Sequence, residues 1–220
     1  MKSISGYIFS GVLLLWLLPS LNGQDTLRTY GPRFGLNLAP FVSYFANPPV
    51  IGAEASMDFE IYPNYYPVFE AGYATLSDSV NESSYSSGGF YARIGLDYNL
   101  LSVEDRSEHH AITIGFRYGT SIFRHSAENI TVPSGYWGDL IIENYENTLN
   151  GHWFELVGGI TAEVANNFFL GWTVRYRILI NPDMDPQIRP RLIPGYGNGT
   201  EKRGFGFTYS VLYKIPLLKR

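Results

Sequence analysis

The sequence holds no cysteine, which excludes both a disulfide framework and a lipidated N-terminal cysteine. It holds no surplus of base either. Its 16 Lys and Arg stand against 20 Asp and Glu, a formal charge of −4, so nucleic acid finds no electrostatic footprint. A third absence is a long apolar run. The most pronounced, 7–18, is too short to cross a bilayer as a helix, which takes about 20 residues. With Lys2 before it and Pro19, Ser20 and Gly23 after it, this run reads as the centre of an export leader over residues 1–23, cut before Gln24. For an exported chain without a spanning helix, the remaining way to stay in a membrane is a closed sheet.

What the sequence has is aromatic side chains and alternation. There are 17 Tyr, 14 Phe and 4 Trp, the ring-rich composition of a chain with girdles at lipid headgroups. Residues 168–180 carry the clearest pattern. Phe168, Leu170, Trp172, Val174, Tyr176, Ile178 and Ile180 are apolar or aromatic, while Gly171, Thr173, Arg175 and Arg177 between them are small, polar or charged. A strand sends successive side chains to opposite faces, so one face is greasy and the other charged. Similar alternation starts at Phe34, Ile51, Phe69, Phe90, Ile112, Phe154 and Phe205.

These stretches predict an all-β fold, an eight-stranded antiparallel transmembrane up-and-down β-barrel. It fills residues 24–220, with strands from about 33 to 217. Connections at Pro63, Glu104 and Asn166 are expected to be short periplasmic turns. Those at Asn47, 77–88, 124–150 and 181–203 are expected to be extracellular, the last three as long loops. Within 124–150, extra strand pairing is expected around 130–132 and 141–142.

The charged face must look inward, because an arginine at the lipid midplane costs ~2–4 kcal/mol. The inward set is Arg93, Arg117, Arg175, Arg177 and Lys214 against Glu54, Asp58, Glu60, Glu70, Asp97 and Glu155. An eight-stranded barrel is just wide enough for side chains to fill. Opposite charges there can pair, and glycines of the same parity leave room for long arginines. The expectation is a lumen plugged by an ion-pair network. A lipocalin-type barrel would show the inverse polarity.

Ile61-Tyr62-Pro63 with Tyr66-Pro67-Val68-Phe69-Glu70, Gly115-Phe116-Arg117-Tyr118-Gly119, Tyr136-Trp137-Gly138 and YSVLYKIP over 209–216 are short segments spread over most of the mature chain. In them the sequence resembles an uncharacterised family of small outer-membrane barrel proteins of the Bacteroidota, of the OmpA/OmpX-like class. The resemblance implies that address and fold and no established activity. One departure is that the chain does not stop on an aromatic but runs on from Pro216 to Arg220.

Chemistry-bearing groups are few. His125 and Ser126 are adjacent, so on a strand they face opposite sides, and His152 and Glu155 also differ in parity. Asn181, Asp183 and Asp185 have calcium-loop spacing, but Pro186 and Leu192 stand where glycine and glutamate would be needed. No catalytic residue, cofactor or metal site is expected. Tyr136 and Trp137 are the candidate contact residues of the longest loop. Outer-membrane lipid and, during insertion, the barrel-assembly machinery are the expected partners, with no nucleic acid. The expected role is non-enzymatic, structural or surface-interacting. A narrow conduit and a lipid-modifying enzyme using His125 or His152 are the alternatives.

Overall fold

The computed structural model describes residues 29–38, 50–80, 83–101, 110–132, 140–182, 184–185 and 187–219. The expected leader, the connections at Asn47 and Glu104, and Tyr136 and Trp137 lie outside them.

Eight antiparallel strands close into a barrel: β2 (Arg33–Asn37), β3 (Val50–Asp58), β4 (Tyr65–Val80), β5 (Ser83–Asn99), β6 (His110–Val132), β7 (Leu140–Ala165), β8 (Phe168–Leu179) and β11 (Arg203–Lys214). Neighbours in sequence are neighbours in the sheet, and β11 pairs with both β8 and β2 to complete the ring. Two small ladders stand outside it. β1 (Thr29–Tyr30) pairs with β12 (Leu218–Lys219), and β9 (Leu192–Ile193) with β10 (Gly197–Asn198).

Alternation decides which side chains face out. Phe90 (71% exposed), Phe205 (72%) and Phe207 (62%) stand on the outside, while Arg93 and Arg175 on the other parity are buried. The outer face also carries two levels of ring contacts. Tyr65–Tyr98 and Phe168–Tyr213 mark the end nearer the chain termini, and Tyr73–Phe90, Tyr118–Phe154 and Tyr176–Phe205 mark the other.

At the terminal end the two described turns are tight, and both use one device. Asn64 and Asn167 take positive φ, 76° and 65°, which asparagine tolerates better than most residues. In each case the glutamate four residues earlier accepts the asparagine amide: Glu60 Oε1 from Asn64 N at 3.0 Å, Glu163 Oε1 from Asn167 N at 2.7 Å.

At the opposite end the structure corrects three expectations. Residues 77–88 are not a loop, since β4 runs to Val80 and β5 starts at Ser83, with Ser77 opposite Ser86. Residues 124–150 are not a long loop either. β6 and β7 stay paired through Arg124↔Thr148 to Val132↔Leu140, and the pairing expected around 130–132 and 141–142 is part of this ladder. The alternation rule hides this extension because the polarity inverts there. Arg124 and Glu128 face out and are exposed, whereas Phe123 and Ala127 face in and are buried.

The third correction is to 181–203, expected to be an external loop. It turns back into the barrel mouth, where Ile193 is fully buried and Leu192 and Tyr196 nearly so. Ile193 and Tyr196 pack with Tyr91, Phe123, Leu149, Trp153 and Leu179, while Leu192 packs with Leu76, Tyr85 and Ala127. We call this segment the stopper.

Candidate functional site

The lumen is filled in layers. Its middle layer is ionic, and all eight staves reach it. Arg175 of β8 holds Glu70 of β4 in a fork, Nη1–Oε2 2.7 Å and Nη2–Oε1 2.9 Å. β4 and β8 lie opposite each other in the ring, so this pair bridges the lumen across its diameter. Arg175 Nη1 also donates to Glu155 Oε2 (3.0 Å) and its Nε to Thr208 Oγ1 (3.0 Å). Arg93 donates to Glu70 Oε2 (2.6 Å) and Glu54 Oε2 (2.9 Å), and its Nε lies 3.1 Å from Glu155 Oε1. Arg177 Nε is 3.3 Å from the same Glu155 oxygen. Arg117 grips Asp97 with two 2.8 Å bonds.

Neutral groups complete the layer. Tyr91 donates its hydroxyl to Glu54 Oε2 (2.6 Å), Asn37 Nδ2 reaches Glu54 Oε1 (3.2 Å), and Trp153 Nε1 donates to Glu155 Oε1 (2.7 Å). Glycine makes the room. A Cβ at Gly206 would stand 2.5 Å from Arg177 Nη2, and one at Gly95 2.5 Å from Arg117 Cδ. Buried charges persist only when paired and hydrogen-bonded, and here each carboxylate has several donors.

The remaining residues of the expected network are placed elsewhere. Asp58 pairs with Arg33 (2.6 Å) nearer the terminal end, and Lys214 Nζ lies 5.9 Å from the centre of the Phe169 ring. Glu60 sits past β3 at the turn, bonded to the Asn64 amide. Sequence reasoning did not name Arg33, Tyr91, Trp153 or Thr208 as site residues. Tyr91 and Trp153 share the parity of Arg93 and Glu155, which is the signal that could have found them.

Above the ions, the stopper is held from the barrel wall. Arg93 Nη2 donates to the Gly195 carbonyl (2.8 Å) and Arg177 Nη1 to the Tyr196 carbonyl (2.7 Å). Ser87 Oγ donates to the Leu192 carbonyl (2.7 Å), and the Arg191 amide to Tyr85 Oη (2.8 Å). Gly195 has φ +79°, and a Cβ there would meet the Tyr91 ring at 2.5 Å, so only glycine fits this approach.

A second anchor is Asp185. His125 Nε2 (2.8 Å), Tyr145 Oη (2.7 Å), Asn147 Nδ2 (3.2 Å) and the Gln187 amide (2.9 Å) surround its carboxylate. Burial opposes its ionisation, but the bonds from Tyr145, the Gln187 amide, His125 and Asn147 outweigh it and hold the carboxyl below the ordinary carboxylate range. Tyr145 is shifted upward, by burial and by its bond to that carboxylate.

Of the other candidates, His125 faces in and is fully buried, whereas Ser126 on the opposite face bonds Ser86 (2.8 Å). His152 faces out and meets Tyr118 Oη at 2.9 Å. Asp183 and Pro186 lie outside the described residues. Asn181 bonds the β7 edge through the His152 amide and Asn150 carbonyl. Among the described residues no cluster of three His, Asp or Glu has a geometry that could hold a metal ion.

A family model described as a domain of unknown function, DUF6048, matches residues 5–220. The chain belongs to the DUF6048 family. No curated protein matches this DUF6048 chain. Among solved structures it is similar to CarO2 of Acinetobacter baumannii, with 11% identity, 87% of this chain and 100% of that one covered, and a TM-score of 0.45. It is also similar to Ail, the attachment invasion locus protein of Yersinia pestis, with 7% identity, 85% and 99% covered, and a TM-score of 0.39. Ail in complex with the heparin analogue sucrose octasulfate gives 7% identity, 87% and 99% covered, and a TM-score of 0.40. The strand pairing of this DUF6048 member itself closes the barrel.

Proposed function

We propose that the protein is an integral outer-membrane barrel with a closed lumen, non-enzymatic, serving a structural or surface-contact role through the strands and stopper at its outer end. The observation that carries this reading is sidedness. Rings as exposed as Phe90, Phe205 and Phe207 cover the outside while arginines and glutamates are paired inside. Soluble monomers rarely expose apolar patches beyond a few hundred Å², and a lipid phase is the solvent in which such a surface is stable. The leader read over residues 1–23 supplies the export step, and the barrel-assembly machinery is the expected insertion partner.

Cysteine labelling tests this reading. Cysteine placed at 174 or 178 is expected to react with lipid-phase probes in reconstituted vesicles, and cysteine at 175 or 177 is not. Reaction of all four from the aqueous phase counts against a membrane address. The second reading, a narrow conduit, draws on the polarity of the central layer. Planar-bilayer recording separates the two, since discrete openings from the intact barrel would favour the conduit. The lipid-modifying alternative would have to use His152 at the rim, because His125 is sealed beneath the stopper. Acyl release from vesicle lipid that disappears in His152→Ala would revive it.

A further inference from the structure

The outer face of the barrel is not evenly covered. Gly158 of β7 has outward parity, and a Cβ built there would meet nothing within 4 Å. On the ladders it stands opposite Ile114 on one side and Val174 on the other. It lies in a groove of about 390 Å³, lined by Ile160, Trp172, Val174, Phe207 and Tyr209 and also by Thr113, Thr173 and Thr208, so that the concavity crosses β6, β7, β8 and β11.

Its height is the second observation. On the β8–β11 ladder the rung Trp172↔Tyr209 lies midway between Phe168↔Tyr213 and Tyr176↔Phe205, rungs of the two levels of ring contacts. In a bilayer those levels sit at the headgroups, so the groove opens at mid-depth of the hydrocarbon, away from the lipid headgroups. Trp172 is 37% exposed there, although tryptophan concentrates at the membrane surface. At mid-depth it acts as a wall.

We propose that this groove seats one acyl chain of a membrane lipid. The proposal rests on the membrane reading above and adds a specific occupant to it. Its wall is mostly apolar or aromatic, with three threonines as the polar members, and Gly158 leaves the floor open to a thin, flexible, uncharged ligand. A second copy of the protein fits less well. An isologous contact centred on the groove would place hollow against hollow and leave it unfilled.

The test uses the full mature chain reconstituted in vesicles of phosphatidylethanolamine and phosphatidylglycerol, released into mild detergent and weighed by native mass spectrometry. The unaltered barrel is expected to retain a phospholipid. Gly158→Leu and Val174→Phe, which fill the groove from two different staves, are expected to lower retention about tenfold, the effect of displacing roughly two buried methylenes. Ile94→Leu, elsewhere on the same band, is expected to leave retention unchanged. Equal retention in the parent and both filling variants overturns the proposal, and so does a dimer that the filling variants abolish. Flotation of the vesicles separates the two levels of failure. A chain that does not float with them defeats the membrane reading itself, whereas one that floats without selective retention defeats only the acyl seat.

Discussion

Arg175 holds two glutamates at once, Glu70 from the opposite wall and Glu155 from the next stave. Removing one partner of a buried network leaves an uncompensated charge, so Arg175→Met is expected to cost about 3–5 kcal/mol. Urea unfolding followed by heat-modifiable gel migration measures it, and adding Glu70→Gln should recover part of the loss. The exposed pair of Arg124 and Glu146 makes the contrast, because Arg124→Ala should change stability by less than about 1 kcal/mol. Asp185 adds a pH dependence. Its folded pKa lies below its unfolded one, so its contribution is complete above about pH 4 and is lost only as pH falls through the lower, folded value. The Asp185 carboxylate should therefore keep its hold on residues 187–198 from about pH 8 to pH 5, and hydrogen exchange there, corrected for intrinsic rate, measures it. In Asp185→Asn the exchange should be faster throughout that window. Much of this scale was legible beforehand. Parity alone sorts Glu54, Glu70, Arg93, Arg117, Glu155, Arg175 and Arg177 to one face, and the structure brings them together. The partner choices were not legible, since the Glu70–Arg175 pair depends on which staves oppose each other once the ring closes.

The stopper shows where sequence reading ends at the scale of elements. Residues 181–203 have no period, and four prolines among them read as an external loop. Only a closed barrel supplies a mouth for Ile193 and Tyr196 to fill, so no local signal could place them there. The long β6–β7 hairpin escapes the sequence pattern for a related reason. Alternation marks a strand by grease outside and polarity inside, and past Phe123 the two exchange. Gly195→Ala joins a left-handed backbone to a collision with Tyr91, and is expected to destabilise the stopper by about 1–3 kcal/mol. Faster exchange at Ile193 and Tyr196, with the ladders of the barrel unchanged, is the expected result. Replacing residues 187–199 by a short Gly-Ser linker should leave the barrel folded and still without discrete openings, because Arg175 and Glu70 span the lumen below it.

For the molecule as a whole, stability follows from matching each face to its solvent. Ile94 stands on the outer face near mid-height, between the Tyr98 and Phe90 rungs of β5, and is 52% exposed. Ile94→Arg is expected to cost ~2–4 kcal/mol in vesicles, the depth-dependent penalty of a cation facing lipid. Ile94→Val should be nearly neutral. If both variants unfold alike in lipid, the outer face is not lipid-exposed.

The two ends of the barrel differ in profile. From Gly119, level with the top of β8, β6 continues to Val132, about 40 Å of further strand at roughly 3.3 Å per residue. β8 and β11 have no such continuation, so among the described residues the rim is a tall parapet at β6 and β7 and low at β8 and β11. In the membrane reading proposed above, a large body approaching this end would touch the parapet well before the bilayer. Among the described residues, that parapet shelters the stopper on the β6–β7 flank.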